Sequence, residues 1–160
     1  IHQSIGTDAI AERFIDGREL YVGVMGNEKL QVFPVWEINL SKMPDGAHRI
    51  ATDRVKWNVD YQKKHKIITN EAKDLPDSLV EQIQRVSKRV YRALEMSGYA
   101  RMDLRLDSEG KFFVMEANAN PQLAFGEDFA ESAERNGLSY EELLQRILSY
   151  GLRWRPESPG

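Results

Sequence analysis

Three side chains, Asp103, Glu116 and Asn118, are spaced so that they can hold a hard cation, with Arg101 beside them to meet a phosphoryl group. They belong to two β-prone runs, Tyr99–Leu106 and Lys111–Ala117 with its continuation, which flank Asp107-Ser108-Glu109-Gly110 and read as a hairpin. A simple four-residue connection pairs Leu106 with Lys111, and so sets Arg101 opposite Glu116 and Asp103 opposite Val114. Strand alternation then gathers Arg101, Asp103, Arg105, Glu116 and Asn118 on one face. Met102, Leu104, Leu106, Phe113, Met115 and Ala117 fall on the other, an apolar set suited to packing on helices. Asp103, Glu116 and Asn118 offer only oxygen, which suits Mg²⁺; that ion takes one or two carboxylates from protein and fills its octahedron with water and nucleotide phosphate. An arginine beside them can neutralise charge on a transferring phosphoryl or acyl-phosphate group. The plainer alternative is a half-exposed sheet whose solvated face happens to be charged.

The elements that must position these residues follow from local pattern. Asp16-Gly17 lies between Asp8–Ile15 and Arg18–Met25 and predicts a first hairpin, with Phe14 opposite Glu19 and Glu12 opposite Tyr21, all on one face. A further strand is expected at Gln31–Glu37. The stretch from Ile38 to Lys73 reads as a long loop with short extended pieces, holding Lys56 and the solvated run Lys63–Lys66. From Leu75 the pattern turns helical: Pro76 suits the first turn, Leu79, Ile83, Val86, Val90 and Leu94 form a stripe, and Gly98 is the expected left-handed stop. Two helices close the chain, the last opened by a capping box at Ser139-Tyr140-Glu141-Glu142. Strand pairs followed by helices, without regular alternation, indicate an α+β fold with a largely antiparallel sheet packed against helices.

Composition narrows the function. The chain has 160 residues, 22 Lys plus Arg against 25 Asp plus Glu, and no cysteine. Weak acidity argues against an electrostatic nucleic-acid binder, and no apolar run has the length of a membrane span. Thiolate metal sites, disulfides and Cys nucleophiles are excluded. His2, His48 and His65 stand in no metal-ligand spacing. With no signal segment after Ile1, a cytoplasmic piece excised from something longer is the expectation.

Taken in order, Glu12-Arg13-Phe14-Ile15-Asp16-Gly17-Arg18-Glu19, Val55-Lys56-Trp57, Gly98-Tyr99-Ala100-Arg101-Met102-Asp103 and Glu116-Ala117-Asn118-Ala119-Asn120-Pro121 resemble the carboxy-terminal domain of ATP-grasp ligases of the D-alanine–D-alanine ligase type. The resemblance runs from about Ile10 to Leu148. It implies that residues 1–152 are an ATP-grasp C-terminal nucleotide and metal domain, with 153–160 a frayed tail. It implies ATP, with Mg²⁺ or Mn²⁺, as cofactors. Asp103, Glu116 and Asn118 match the metal ligands, and Arg101 the arginine that stabilises the acyl-phosphate and tetrahedral states. Glu12, Phe14 and Ile15 match the strand that meets adenine, Glu19 the acid on the ribose hydroxyls, and Lys56 a phosphate-contacting lysine. The implied reaction joins a small carboxylate to an amino-acid-like amine through an acyl phosphate, releasing ADP and phosphate. A non-catalytic nucleotide-binding or regulatory relic of the same fold is the alternative.

Two positions depart from the D-alanine pattern. Gln122 replaces the glycine after Pro121, and Glu127 stands where a serine grips the acceptor carboxylate, so whether D-alanine is a substrate is left open. The family's central and amino-terminal domains are not in these 160 residues, and turnover by them alone is not expected. Oligomeric state is left open.

Overall fold

The computed structural model describes residues 6–44 and 49–155. His2, Asp45-Gly46, His48 and the tail from residue 156 lie outside the described residues. The elements run β1 (Arg18–Met25), β2 (Gln31–Asn39), α1 (Asp53–Trp57), α2 (Val59–His65), β3 (Ile68–Glu71), α3 (Asp77–Ala93), β4 (Tyr99–Leu106), β5 (Phe112–Asn118), α4 (Asp128–Arg135) and α5 (Tyr140–Arg153). The strands make one five-stranded sheet, ordered β3-β2-β1-β4-β5, with every neighbouring pair antiparallel. This is the α+β architecture that the pattern predicts.

One face of the sheet has an apolar centre, bordered at one end by the Arg18–Glu37 ion pair. Leu20, Val22 and Val24 of β1 meet Met102, Leu104 and Leu106 of β4, and α3 covers them with Ile83 and Tyr91. Full burial of each such aliphatic side chain stabilises the fold by about 1.5–3 kcal/mol. The other face is divided. At one end Met25 and Phe33 pack under α4 and α5 through Phe129, Ala133 and Leu143. Leu40, Val55 and Ile67 form a small third cluster that joins the residue after β2, α1 and the residue before β3. Between these two clusters the sheet carries Glu19, Tyr21, Arg101, Asp103 and Arg105, and this polar strip is where chemistry can be done.

Three local expectations are corrected. Asp8–Ile15 is not a strand, and the first hairpin does not form, because both edges of β1 are taken, by β2 on one side and β4 on the other. Gly17 serves a close approach instead of a type I′ turn: a Cβ there would lie 2.0 Å from the Leu106 carbonyl oxygen. The Ile38–Lys73 stretch holds an expected short extended piece, β3, but also two unexpected short helices, capped by Thr52 and Asn58 through their side chains. Finally, α3 stops before Gly98. Glu95 takes the left-handed conformation, and the Glu95 and Met96 amides donate to the Arg92 and Tyr91 carbonyls in a Schellman arrangement. Leu94 is consequently exposed, and Tyr91 takes the core position, its hydroxyl donating to the Gly26 carbonyl at 2.7 Å. The capping box at Ser139 and Glu142 forms as predicted.

Candidate functional site

The β4–β5 hairpin brings the four predicted residues together by a route that differs from the simple one. The connection between the paired strands is one residue longer than the four assumed, running over 107–111. Gly110 adopts φ 81°, the Asp107 amide donates to the Lys111 carbonyl, and Leu106 pairs with Phe112. That displaces the predicted register by one residue, which by itself turns every side chain of β5 over. A β-bulge then restores the faces: Leu104 pairs with Val114 and Asp103 with Glu116, leaving Met115 as the extra residue. Beyond it Arg101 pairs with Asn118. Arg101, Asp103, Glu116 and Asn118 therefore share a face, with the two carboxylates directly opposite. Two expected apolar positions are corrected, Phe113 by the displaced turn and Met115 by the bulge. Met115 is 44% exposed, and Phe113 stands opposite Arg105 on the polar side, near the Lys111 and Arg13 cations. Phe112 packs on the core in its place.

Arg101 is the charged centre of the face. Its Nε and Nη2 donate to both Asp103 oxygens at 2.8 Å, and Nη1 lies 3.8 Å from Asp128. Its guanidinium sits 4.5 Å from the centroid of the Tyr21 ring. Burial works against its charge, but the hydrogen bonds and charge of Asp103 outweigh it, so Arg101 stays firmly protonated. Asp128 moves the other way: burial raises its carboxyl above the ordinary range, opposed by a hydrogen bond with Thr69 and by the Arg101 charge. Tyr21 joins this centre to Glu19, donating its hydroxyl to Glu19 Oε1 at 2.9 Å. Burial, then the neighbouring Glu19 carboxylate, pushes the Tyr21 phenol well above its usual range, so it remains a donor.

Lys56, Arg101 and Asn118 line one cleft of about 860 Å³, floored by Tyr21 and closed on the far side by Gln122, Glu127 and Asp128. The two residues that depart from the D-alanine pattern thus share a cleft with the predicted arginine and lysine. Glu12, Phe14, Ile15 and Glu19 do not line it. Phe14, Ile15 and Glu19 lie at the other end of the polar strip, around Arg105. There Glu19 Oε2 accepts from the Ala51 amide and from Arg105 Nη1, both at 3.1 Å, and the Ile15 carbonyl accepts from Arg105 Nε at 3.0 Å. Glu12 is exposed in a segment without regular structure. A second cleft of about 940 Å³, between the end of α3 and the end of α5, contains none of these residues.

The donor set is consistent with Mg²⁺. Among the described residues no three His, Cys, Asp or Glu side chains gather for a metal; the predicted set has two carboxylates and one amide oxygen. Asp103 gives Arg101 one lone pair from each oxygen and keeps the others. Asn118 Oδ1 accepts the Asn120 amide at 2.9 Å, which aims the oxygen and leaves it a second lone pair. Glu116 is exposed beside them. Arg105, Tyr21 and Asp128 were not singled out from sequence as site residues. Alternation puts Arg105 on the polar face, but no local signal says that it is buried. Among the described residues, no helix is long and apolar enough to cross a membrane.

Comparisons with known proteins converge. The profile of the family described as D-ala D-ala ligase C-terminus matches residues 3–149. A D-alanine–D-alanine ligase of Bordetella petrii is 33% identical over 148 residues, covering 89% of this chain and 40% of that protein. One from Desulfotalea psychrophila is 30% identical, covering 89% of this chain and 42% of its own length. Among solved structures, the D-alanine–D-alanine ligase of Bacillus anthracis complexed with ATP superposes with a TM-score of 0.66 at 25% identity, over 89% of this chain and 40% of that one. The Coxiella burnetii enzyme shares the fold, with a TM-score of 0.69 at 23% identity, over 88% and 33%. The chain spans about two fifths of the length of the curated relatives that it matches.

Proposed function

Because the chain belongs to the D-Ala–D-Ala ligase C-terminal family, a branch of the ATP-grasp ligases, we propose that it is the nucleotide- and metal-holding part of an ATP- and Mg²⁺-dependent carboxylate–amine ligase. The reaction is amide formation through an acyl phosphate, with release of ADP and phosphate. The observation that carries this is the single polar face on which Asp103 opposes Glu116 and Arg101 opposes Asn118, with Arg101, Asn118 and Lys56 lining one cleft.

Each residue has a task that its chemistry suits. Asp103, Glu116 and Asn118 hold the cation, which when bound draws charge from the triphosphate oxygens and lets an anionic carboxylate approach them. Arg101, fixed by Asp103 and by the Tyr21 ring, presents a permanent positive charge to the oxygens of the acyl phosphate. Lys56 supplies a second, mobile charge to the phosphates from α1. Glu19 and the Phe14–Ile15 backbone take the nucleoside end.

The acceptor is an amine other than D-alanine. Glu127 and Asp128 set two carboxylates in the cleft beyond Arg101, and they repel a free carboxylate there while favouring an ammonium or a neutral polar group. The test has two parts on the longest chain containing these residues. Titration with Mg²⁺-ATP must show binding, and ADP release must depend on an added amino-acid or amine panel. Binding without ADP release on any acceptor would make the domain a nucleotide-binding relic.

A further inference from the structure

Arg105 is the charged residue that the roles above leave unused, and its surroundings are unusual. It is 5% exposed, the one arginine buried among the described residues. Nε donates to the Ile15 carbonyl at 3.0 Å, and Nη1 donates to Glu19 Oε2 at 3.1 Å and to the Arg49 carbonyl at 2.8 Å. One guanidinium thus ties the base-end segment, the ribose-end acid and the segment before α1 to the end of β4. Nη2 is different: it is fully buried and has no acceptor. A buried donor left unpaired is costly, more so on a charged group, so such an atom calls for an explanation. Over the same guanidinium lies the ring of Phe14, its centroid 5.6 Å from Cζ, and that ring is itself 48% exposed. A flat aromatic stacked on a guanidinium at the edge of solvent has the shape and electronics of a nucleobase contact.

We propose that Arg105 is a nucleoside-binding residue, whose Nη2 donates to an acceptor atom on the purine of the bound nucleotide while its other two nitrogens hold the Ile15 carbonyl and Glu19 in place. This rests on the nucleotide reading above and adds to it a donor for the base. On binding, the half-exposed Phe14 ring shifts and an acceptor on the purine edge comes into line with Nη2, in the guanidinium plane. Nη2 gains the acceptor that it lacks, and Glu19 stays oriented by Nη1 and the Tyr21 hydroxyl. Affinity gained this way belongs to the nucleoside and not to the phosphates, which lie toward Arg101 and Lys56.

That division supplies the test. The chain and its Arg105→Lys variant are titrated calorimetrically with Mg²⁺-ATP and with Mg²⁺-tripolyphosphate, which has the phosphates and no nucleoside. Lysine keeps a positive charge against Glu19 but not the fork. The expected result is about a tenfold or greater loss of affinity for Mg²⁺-ATP, with tripolyphosphate binding unchanged. Unchanged ATP affinity, or equal loss for both probes, overturns the proposal, the second because it marks a merely structural role. A second measurement avoids the variant: in the unsubstituted chain the Arg105 side-chain NMR resonances shift with ATP and stay in place with tripolyphosphate. Their failure to move with ATP also overturns it. If the unsubstituted chain binds no Mg²⁺-ATP at all, the nucleotide reading itself falls.

Discussion

Asp103 and Glu116 face each other across a strand pair, yet they occupy different surroundings, and substitutions should separate two kinds of loss. The Asp103 side chain is 13% exposed and is gripped through both oxygens by Arg101, itself 15% exposed. Glu116 is open to solvent. Glu116→Gln in the longest active chain should lower phosphate release at least 100-fold, a loss on the scale of removing an ion-clamping group, while its melting temperature stays within about 2 °C of the parent. Asp103→Asn should lose activity to a similar degree and also destabilise the fold by about 1–3 kcal/mol, because the half-buried Arg101 loses its charged partner. Phosphate release paired with thermal melts measures both, and unaltered turnover in either variant removes that residue from the metal site. Glu19→Ala acts at the other end of the strip. It should raise KM for ATP and leave kcat at saturating ATP largely intact, whereas a collapse of kcat would count against the ribose role.

The bulge at Met115 is the element on which the site depends. A connection one residue longer than assumed moves β5 by one residue and the bulge moves it by one more, so two displacements that would each invert the faces cancel. Deleting Met115 should therefore do what no point substitution there does. With the extra residue gone, either Glu116 and Asn118 turn toward the apolar layer, or Phe112 and Val114 leave it. We expect loss of phosphate release together with a drop of about 5 °C or more in melting temperature. Met115→Thr, which keeps the length and suits an exposed strand position, should leave both near the parent values. A deletion variant that retains activity would show that the ladder re-forms its bulge elsewhere. The order of the sheet matters in the same way: β1 carries Glu19 and Tyr21 between β2 and β4, and with both edges paired it cannot slide without breaking two ladders.

Across the whole molecule, the apolar face under α3 holds the sheet together, and the polar strip on the other face stays open between two smaller clusters. The cleft on that strip is bounded by α1 and α2 on one side and the segment leading into α4 on the other. Its curated relatives are more than twice as long as this chain, at 40–42% coverage. The 160 residues should accordingly melt cooperatively and bind Mg²⁺-ATP more weakly than a longer chain containing them. In a coupled ADP assay they should show no amine-dependent turnover on their own, and measurable turnover would show that half of the nucleotide clamp is enough.

Properties that depend on a few neighbouring residues were legible from the chain alone. Alternation in Tyr99–Leu106 put Arg101, Asp103 and Arg105 on one face whatever the partner strand did. The helix over Asp77–Ala93 and the Ser139–Glu142 capping box likewise rest on contacts three or four residues apart. Pairing and depth depended on the fold. Asp16-Gly17 carries a hairpin signal, but a strand has only two edges, and β2 and β4 occupy those of β1. Asp103 meets Glu116 through a bulge that no local pattern announced. Arg105 looks in sequence like any alternate polar residue, and it became a buried hub because Ile15, Glu19 and Arg49 converge on it from segments 90, 86 and 56 residues away. Backbone geometry sets which side a residue faces within a few bonds. What waits on that side is set by chain segments that meet only when the molecule has closed.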